Sequence, residues 1–528
     1  MILVCVWIFV GFAPIAQAQD SPATAAASSS EEPETLESEA TEPVSETMQA
    51  IPGLPLQGVG PATMPAQVEP PRRWVTLNSR LERLTENPFL KAKEIGVYVA
   101  SMPGGEPVFG YNSAQPMNPA SNVKVLTSAA ALTMLGPGYR FKTEIHLTEP
   151  PKNGVIEGDL YVKGYGDPTM VSERLWMLVN SLKERGIREI KGRIVVDNTF
   201  FAGAPHNPGW VREQDGSQAY QAPYGAVSLN FNAIRITVLP GDNTGDPAIV
   251  IKSPDSDYFH TESSVKTVAH GRTKLTIDTE SWRGRTRIKL RGRINIRSWG
   301  RTVYRKIDHP ALYFGYSLLQ FLRQQGIKIP KKAVRVKKLP YNAEIYYTFY
   351  SPHLSEIIWA LNKRSNNFTA EQLLKTMGAE LYEPPGDWIK GLKALKYFLT
   401  YLGIQPDSYR LVNGSGLADI TRISPRDIVR VLHFMYVRTE LMPEFAASLA
   451  VGGVDGTLRR RMKELSTGKI RAKTGSLDMV NALSGYAIAK NREVLAFSII
   501  VNNDLPYSEQ AAIIDSIAET LATTPPDE

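Results

Sequence analysis

The sequence is almost without cysteine: its single copy, Cys5, lies in an apolar run at the start of the chain. Once that run is removed, neither a disulfide nor a cysteine-based metal site can form. The seven histidines show no His-Glu-x-x-His spacing, and no Gly-x-Ser-x-Gly sequence is present. These absences argue against zinc-dependent hydrolases and against the nucleophile elbow of α/β-hydrolases.

Long apolar runs are also missing beyond the first residues. Residues 2–15 are almost wholly apolar and are followed by Ala16-Gln17-Ala18, a pattern typical of a secretory signal peptide over residues 1–18. The alternative is an uncleaved anchor, but the run is shorter than the ~20 residues that a span requires. Residues 19–73 are rich in Ser, Pro and Glu, and we expect them to form a disordered linker. The protein is therefore predicted to be exported to the periplasm or cell envelope.

Charge is unevenly distributed along the chain. Residues 19–70 contain nine acidic residues and no Lys or Arg, and removing those nine charges from the formal total of +7 leaves about +16 on residues 71–528. A basic surface can bind nucleic acid or an anionic envelope polymer, or it can simply be solvated. No nucleic-acid-binding motif is present. Predicted export favours peripheral contact with the wall or membrane, and the solvated surface remains an alternative.

The pattern of apolar residues predicts one split domain. Residues 74–140 and 340–524 contain the helical patterns and the strands of an α+β fold, a helix–sheet–helix sandwich built from both ends of the chain. Residues 141–339 contain short β-rich runs separated by Gly, Pro, Asp and Asn, which predict a large β-rich insert. The composition, 43% hydrophobic and 21% charged, is ordinary for globular domains of this size.

The first chemical motif is Ser121-Asn122-Val123-Lys124 at the start of a helical run. Positions i and i+3 share a helix face, so Lys124 can lie beside Ser121 and act as its base when neutral. Burial and a second cation such as Lys473 would both lower the pKa of Lys124. Ser263 and Lys266 match the same spacing, but their strand-like context would point the two side chains to opposite faces.

The second motif is Ser365-Asn366-Asn367, directly before a helical run. Its simplest interpretation is structural, with Asn366 as a helix cap. In the functional interpretation, Ser365 relays a proton to a leaving amine, and Asn367 donates hydrogen bonds to substrate and to Lys124.

The third motif is Lys473-Thr474-Gly475 followed by Ser476, on a predicted edge strand. Lys473 supplies positive charge, and the hydroxyls of Thr474 and Ser476 can bind a substrate carboxylate. Gly475 would let a substrate backbone approach the strand. The alternative is an ordinary edge strand protected by a lysine.

In this order, the three motifs resemble those of the serine β-lactamase and penicillin-binding superfamily. More narrowly, the chain resembles class C penicillin-binding proteins, D-alanyl-D-alanine carboxypeptidase/endopeptidases with a large insert. Ser365 follows Ser121 by 244 residues, much further than in a plain β-lactamase. The middle motif is often Ser-Asp-Asn in that family, and Asn366 replaces the Asp. Further matching segments are Gly164-Tyr165-Gly166-Asp167-Pro168-Thr169, Asp197-Asn198-Thr199-Phe200-Phe201, Val227-Ser228-Leu229-Asn230, Asn413-Gly414-Ser415-Gly416-Leu417 and Asp455-Gly456-Thr457-Leu458.

The resemblance implies a β-lactamase/transpeptidase-like fold and an acyl-enzyme on Ser121. It implies as substrates peptidoglycan stem peptides ending in D-Ala-D-Ala, β-lactam antibiotics as covalent inhibitors, and no cofactor, metal or nucleic acid. The backbone N–H groups of Ser121 and Ser476 would form the oxyanion hole. Two alternatives are a serine β-lactamase, for which no deacylating glutamate can be assigned, and a non-catalytic wall-binding scaffold, against which the three intact motifs argue.

Overall fold

The computed structural model describes residues 72–86, 94–204, 206–209, 216–330 and 334–527. The predicted signal peptide lies outside the described residues. So does the predicted linker, apart from Arg72 and Arg73, which form one 3₁₀ turn with Trp74. Within the described parts of the chain, no helix is both long and apolar enough to cross a bilayer.

The described residues form helices and strands throughout. The α-helices are α1 (Val75–Thr85), α2 (Val123–Leu135), α3 (Ser172–Glu184), α4 (Pro310–Gln324), α5 (Leu354–Arg364), α6 (Asn367–Tyr382), α7 (Trp388–Tyr401), α8 (Pro425–Val437), α9 (Met442–Ser448) and α10 (Tyr507–Thr523). The strands are β1 (Ile95–Ser101), β2 (Glu106–Tyr111), β3 (Lys142–Leu147), β4 (Val155–Ile156), β5 (Leu160–Gly164), β6 (Glu189–Ile190), β7 (Ile194–Asp197), β8 (Ala233–Leu239), β9 (Ile249–Ser253), β10 (Phe259–Ser263), β11 (Lys266–Val268), β12 (Lys274–Trp282), β13 (Arg285–Asn295), β14 (Arg301–Lys306), β15 (Val334–Val336), β16 (Glu344–Tyr350), β17 (Ala450–Val451), β18 (Ile470–Leu477), β19 (Val480–Ile488) and β20 (Val494–Asn502).

One six-stranded antiparallel sheet joins strands that are far apart in sequence, in the order β17–β18–β19–β20–β1–β2. Every residue of β1 is buried, so both faces of the sheet must be covered. Val97 and Val99 pack with α1 and α10, while the alternating Tyr98 and Ala100 pack with α2 and α8. The predicted α+β helix–sheet–helix sandwich is confirmed.

The insert has its own hydrophobic core and several small sheets. A five-stranded sheet runs in the order β15–β7–β5–β3–β16, beside a three-stranded sheet β14–β8–β9. In a third sheet, β13 pairs with β10, β11 and β12, while β4 and β6 form a separate pair.

The insert also contains α3, a helix that the sequence analysis did not predict. Leu175, Leu178, Val179 and Leu182 are all buried, and their spacing of three and four residues gives α3 one apolar face. This helical pattern was present in the sequence but was hidden among the surrounding β-rich runs.

The predicted boundary at residue 339 precedes a strand that joins the insert. β16 pairs with β3, with Thr348 opposite Glu144, so the five-stranded sheet of the insert continues to Tyr350. The chain then enters α5, which leads directly to the second motif.

Candidate active site

Ser121 lies in a tight turn at the start of α2. Ala120–Asn122 form a 3₁₀ turn, so the α-helix begins two residues later than the predicted helix at Ser121. Ala120 adopts a left-handed conformation with φ 45°, and its N–H donates to the side chain of Asn118 at 2.9 Å. Asn122 anchors the other side of the turn by donating to Ser484 Oγ on β19 at 2.8 Å. Ser121 is thus held between the helix and the sheet while remaining partly exposed.

Lys124 is fully buried beside Ser121. Its Nζ lies 2.9 Å from Ser121 Oγ, 2.7 Å from Asn367 Oδ1 and 2.7 Å from the Ser415 carbonyl oxygen. Burial lowers the pKa of Lys124 to about 7, although the negative charge of Glu371 opposes this effect. A substantial fraction of Lys124 is therefore neutral near pH 7, as a base requires.

The contacts of Lys124 also orient its lone pair. Asn367 Oδ1 and the Ser415 carbonyl can only accept hydrogen bonds, so a neutral amine directs its two N–H groups to them. The lone pair then faces Ser121 Oγ. The expected donation from Asn367 to Lys124 is wrong in direction, because Asn367 presents its oxygen to Lys124 and an amide oxygen can only accept.

The second motif joins the end of α5 to the start of α6. Ser365 has a left-handed backbone with φ 54°, which ends α5. Asn366 is the N-cap of α6, accepting from the Thr369 N–H at 2.9 Å, so its structural interpretation holds. Ser365 and Asn367 lie on either side of this cap, one contacting Lys473 and the other Lys124.

Lys473 is the second buried lysine of the site. Its Nζ donates to Ser365 Oγ at 2.7 Å and to the Thr474 carbonyl oxygen at 2.5 Å. Burial and the positive charge of Lys124 hold the pKa of Lys473 well below its usual range. Thr474 donates to Thr457 Oγ1 at 2.9 Å, while Ser476 is exposed.

β18 is not the edge strand that the sequence predicted, because β17 lies outside it, but β17 covers only the first half of β18. β17 pairs only with Arg471 and Ala472, so Lys473 and the residues that follow extend past it. A Cβ at Gly475 would lie 2.4 Å from the Pro119 carbonyl oxygen and 3.2 Å from the Ser121 nitrogen. Gly475 is thus required for the strand to approach the Ser121 turn, a reason that the sequence alone did not indicate.

Similarity to known proteins extends over most of the chain. The D-Ala-D-Ala carboxypeptidase 3 (S13) family matches residues 77–524. The chain belongs to this family. A D-alanyl-D-alanine carboxypeptidase from Actinomadura sp. (strain R39) is 31% identical over 491 residues, covering 89% of each chain. D-alanyl-D-alanine carboxypeptidase DacB from Haemophilus influenzae is 24% identical over 417 residues, covering 78% of this chain and 86% of the relative.

A solved structure shows the same fold. Penicillin binding protein 4 (dacB) from Haemophilus influenzae superposes with a TM-score of 0.71 at 22% identity, covering 84% of this chain and 98% of that structure. The resemblance to class C penicillin-binding D-alanyl-D-alanine carboxypeptidases and the fold predicted from the three motifs are therefore confirmed.

One turn of the S13 site was matched in sequence but given no role there. Ser415 belongs to Asn413-Gly414-Ser415-Gly416-Leu417, and its carbonyl accepts from Lys124. Gly416 has φ 76°, and a Cβ there would lie 1.9 Å from the Ala120 carbonyl oxygen. The turn therefore packs directly on the Ser121 turn and completes the surroundings of Lys124.

Glu371 was missed altogether by the sequence analysis. It is fully buried on α6, four residues after Asn367, and accepts from the N–H groups of Gly414 and Ser415. The i, i+4 spacing from Asn367 was the available signal, because it places both side chains on one face of the helix.

Acidic and imidazole side chains do not gather into a candidate metal site in the described ranges. Groups of three or more His, Cys, Asp or Glu able to hold an ion are absent there. The polar groups that surround Lys124 and Lys473 are serine hydroxyls, a side-chain amide and backbone carbonyls.

Proposed function

We propose that Ser121 is the nucleophile of this D-alanyl-D-alanine carboxypeptidase and that it forms an acyl-enzyme with peptidoglycan stem peptides ending in D-Ala-D-Ala. Membership of the S13 family makes the chain a serine-type carboxypeptidase of this class. The observation that carries the assignment is the 2.9 Å contact of Ser121 Oγ with a lysine whose pKa burial lowers to about 7.

Acylation would begin with transfer of the Ser121 hydroxyl proton to neutral Lys124. The Ser121 oxygen then forms a bond to the carbonyl carbon of the penultimate D-alanine, and the carbonyl oxygen becomes an oxyanion. The backbone N–H groups of Ser121 and Ser476 would stabilise it, each contributing about 3 kcal/mol.

Collapse of this intermediate breaks the carbon–nitrogen bond to the terminal D-alanine. The leaving amine takes up a proton through Ser365, whose hydroxyl lies 2.7 Å from Lys473 Nζ. That proton is the one that Lys124 took from Ser121, so Lys124 is neutral again. Water then attacks the ester, Lys124 accepts a proton from the water and returns it to the Ser121 oxygen as the ester bond breaks, and the shortened peptide leaves. Lys473, Thr474 and Ser476 would bind the terminal carboxylate before cleavage.

The nucleophile can be tested with a labelled penicillin, because a β-lactam acylates the same serine in this mechanism. A penicillin binding protein from Haemophilus influenzae has been solved in complex with a β-lactam. Purified Ser121→Ala should lose covalent labelling, and Ser263→Ala, from the second Ser-x-x-Lys segment, should label as wild type does. Wild-type labelling of Ser121→Ala would refute the assignment.

Digestion of purified muropeptides would separate the related activities. Loss of terminal D-alanine indicates carboxypeptidase action, and loss of cross-links indicates that the chain also acts as a DD-endopeptidase. Rapid turnover of penicillin would instead favour the β-lactamase alternative, and absence of any acylation would favour a wall-binding scaffold.

We further propose that the chain is exported and acts in the periplasm or cell envelope. The predicted signal over residues 1–18 and a substrate class located in the cell wall support this. Cell fractionation, with N-terminal sequencing of the mature protein, should find an envelope form that begins after Ala18. A cytoplasmic form that retains residue 1 would contradict export.

A basic cluster on the insert is a proposed contact with the carboxylates of the wall polymer. Lys266 and Lys274 lie opposite Arg293 on its two neighbouring strands, and all three are exposed, as is nearby Arg291. Like charges that face each other across strands destabilise a sheet. An anionic polymer bound here would relieve that repulsion.

Co-sedimentation with purified peptidoglycan tests this contact. The double variant Lys274→Ser/Arg293→Ser should bind more weakly than wild type at low salt, and added salt should abolish the difference. Lys289→Ser is the matched control, because Lys289 is already paired with Glu280 at 2.7 Å. Equal binding by wild type and the double variant at low salt would contradict the proposal.

A further inference from the structure

Glu371 is a fully buried carboxylate that accepts four hydrogen bonds. Its Oε1 accepts from the Ser415 N–H at 2.8 Å and from Asn207 Nδ2 at 3.3 Å. Its Oε2 accepts from the Gly414 N–H at 3.0 Å and from Trp388 Nε1 at 3.0 Å. The donors come from the turn beside Lys124, from α7 and from the insert.

The chemistry of these partners requires a carboxylate. All four are N–H donors, and only an ionised acid offers two oxygens that both accept without donating. A glutamine at this position would turn its NH₂ group towards two of the donors. A buried charge is costly unless it is hydrogen-bonded, and here the four donors supply that compensation.

The same residue, Ser415, connects Glu371 to the proposed base. Glu371 binds the N–H of Ser415, and the carbonyl of Ser415 accepts from Lys124 Nζ at 2.7 Å. The charge of Glu371 acts on Lys124 as well, because it favours the protonated lysine while burial favours the neutral one.

We propose that Glu371 is a positioning residue that fixes the Gly414–Ser415 turn, and with it the Ser415 carbonyl oxygen that accepts from Lys124 Nζ. The inference rests on the proposed role of Lys124 as the base. It assigns to Glu371 both the placement of the Ser415 carbonyl and part of the balance between charged and neutral Lys124.

The insert takes part in this arrangement. Asn207 reaches Glu371 from the insert, and the adjacent Pro208 carbonyl accepts from Asn413 Nδ2 at 3.0 Å. Gln372, next to Glu371, donates to the Gly225 carbonyl of the insert at 3.0 Å. The insert therefore buttresses the turn that holds Lys124, besides any part it takes in binding the wall.

The test is the pH dependence of penicillin acylation in Glu371→Gln. Removing the negative charge lowers the pKa of Lys124, so the acid limb of the profile should move to lower pH. Loosening of the turn should lower the plateau rate about 10-fold to 100-fold. Glu380→Gln is the matched control, because it makes the same Glu→Gln change on the same helix, α6. Glu380 is exposed and accepts a hydrogen bond from the Tyr139 hydroxyl. This variant should keep the wild-type profile.

An unshifted acid limb in folded Glu371→Gln would overturn the inference, since a purely structural role would slow the reaction without moving the limb. If that variant does not fold, Glu371→Asp decides. It keeps the charge but shortens the reach, so the limb should stay near its wild-type position while the rate falls. A wild-type rate in Glu371→Asp would overturn the inference. Failure of the proposed function is distinguishable, because wild type itself would then show no acylation or no acid limb.

Discussion

Acylation of Ser121 is expected to follow the ionisation of Lys124. Only the neutral amine can take the serine proton, and burial lowers the pKa of this lysine to about 7. The second-order rate constant for penicillin acylation should therefore be half-maximal near pH 7. It should fall about tenfold for each pH unit below that and reach a plateau above about pH 8.

The size of the effect follows from the neutral fraction. A lysine with the ordinary pKa of 10.5 is about 0.03% neutral at pH 7, whereas one with a pKa of about 7 is about half neutral. Burial thus increases the reactive form by about 10³-fold, equivalent to about 4 kcal/mol of activation free energy. The burial that makes Lys124 a base arises from the packing of α2 against α6 and the Ser415 turn.

Stopped-flow measurements with a fluorescent penicillin between pH 5 and pH 9 would give the profile, with circular dichroism to verify folding at each pH. Lys396→Ala removes an exposed lysine on α7 and should leave the acid limb unchanged. Lys124→Ala should abolish acylation across the range. An acid limb above pH 9, or substantial acylation by folded Lys124→Ala, would refute the reasoning.

Three further changes test other parts of the structure. Gly475→Ala forces a backbone clash beside the serine turn, so the rate of acylation in stopped-flow assays should fall about 100-fold. Gly138→Ala is the control and should behave as wild type, because there is open space for an added Cβ at that position. Ser365→Ala removes the proposed proton relay and should lower kcat for a D-Ala-D-Ala peptide about 100-fold with little change in KM; an unchanged kcat would exclude the relay. Arg174→Met leaves the buried Asp167 without its ion pair at 3.1 Å, which should lower the free energy of unfolding in urea by about 3 kcal/mol. An unchanged urea midpoint would show that this pair contributes nothing to the insert.

The residues that carry the chemistry were predictable because their motifs are local. Ser121 and Lys124 are three residues apart on one helical segment, and the structure places Lys124 Nζ 2.9 Å from Ser121 Oγ. The strand context of Lys473 was also readable from its neighbours, and β18 extends over Ile470–Leu477. The division of the chain at residues 140 and 339 stays a prediction.

Two errors of the sequence analysis have physical reasons. α3 was missed because it is a single 13-residue helix among many β-rich runs, and the strand pattern of those runs dominates this part of the sequence. The direction of the contact between Asn367 and Lys124 was wrong because the orientation of an amide is set by its partners in space.

The sequence by itself determined the family, the order of the three motifs and the α+β alternation of helices and strands. Each motif and each helix or strand pattern depends on residues two to four positions apart, which local physics constrains, and the order and the 244-residue separation of the first two motifs are read directly along the chain. Only the tertiary structure brought Ser415 into contact with Lys124, and Glu371 and Asn207 into place behind Ser415, from positions more than 80 residues away from Lys124 along the chain. Burial and charge at a site are sums over residues that are close only after folding, so the pKa of Lys124 was decided there.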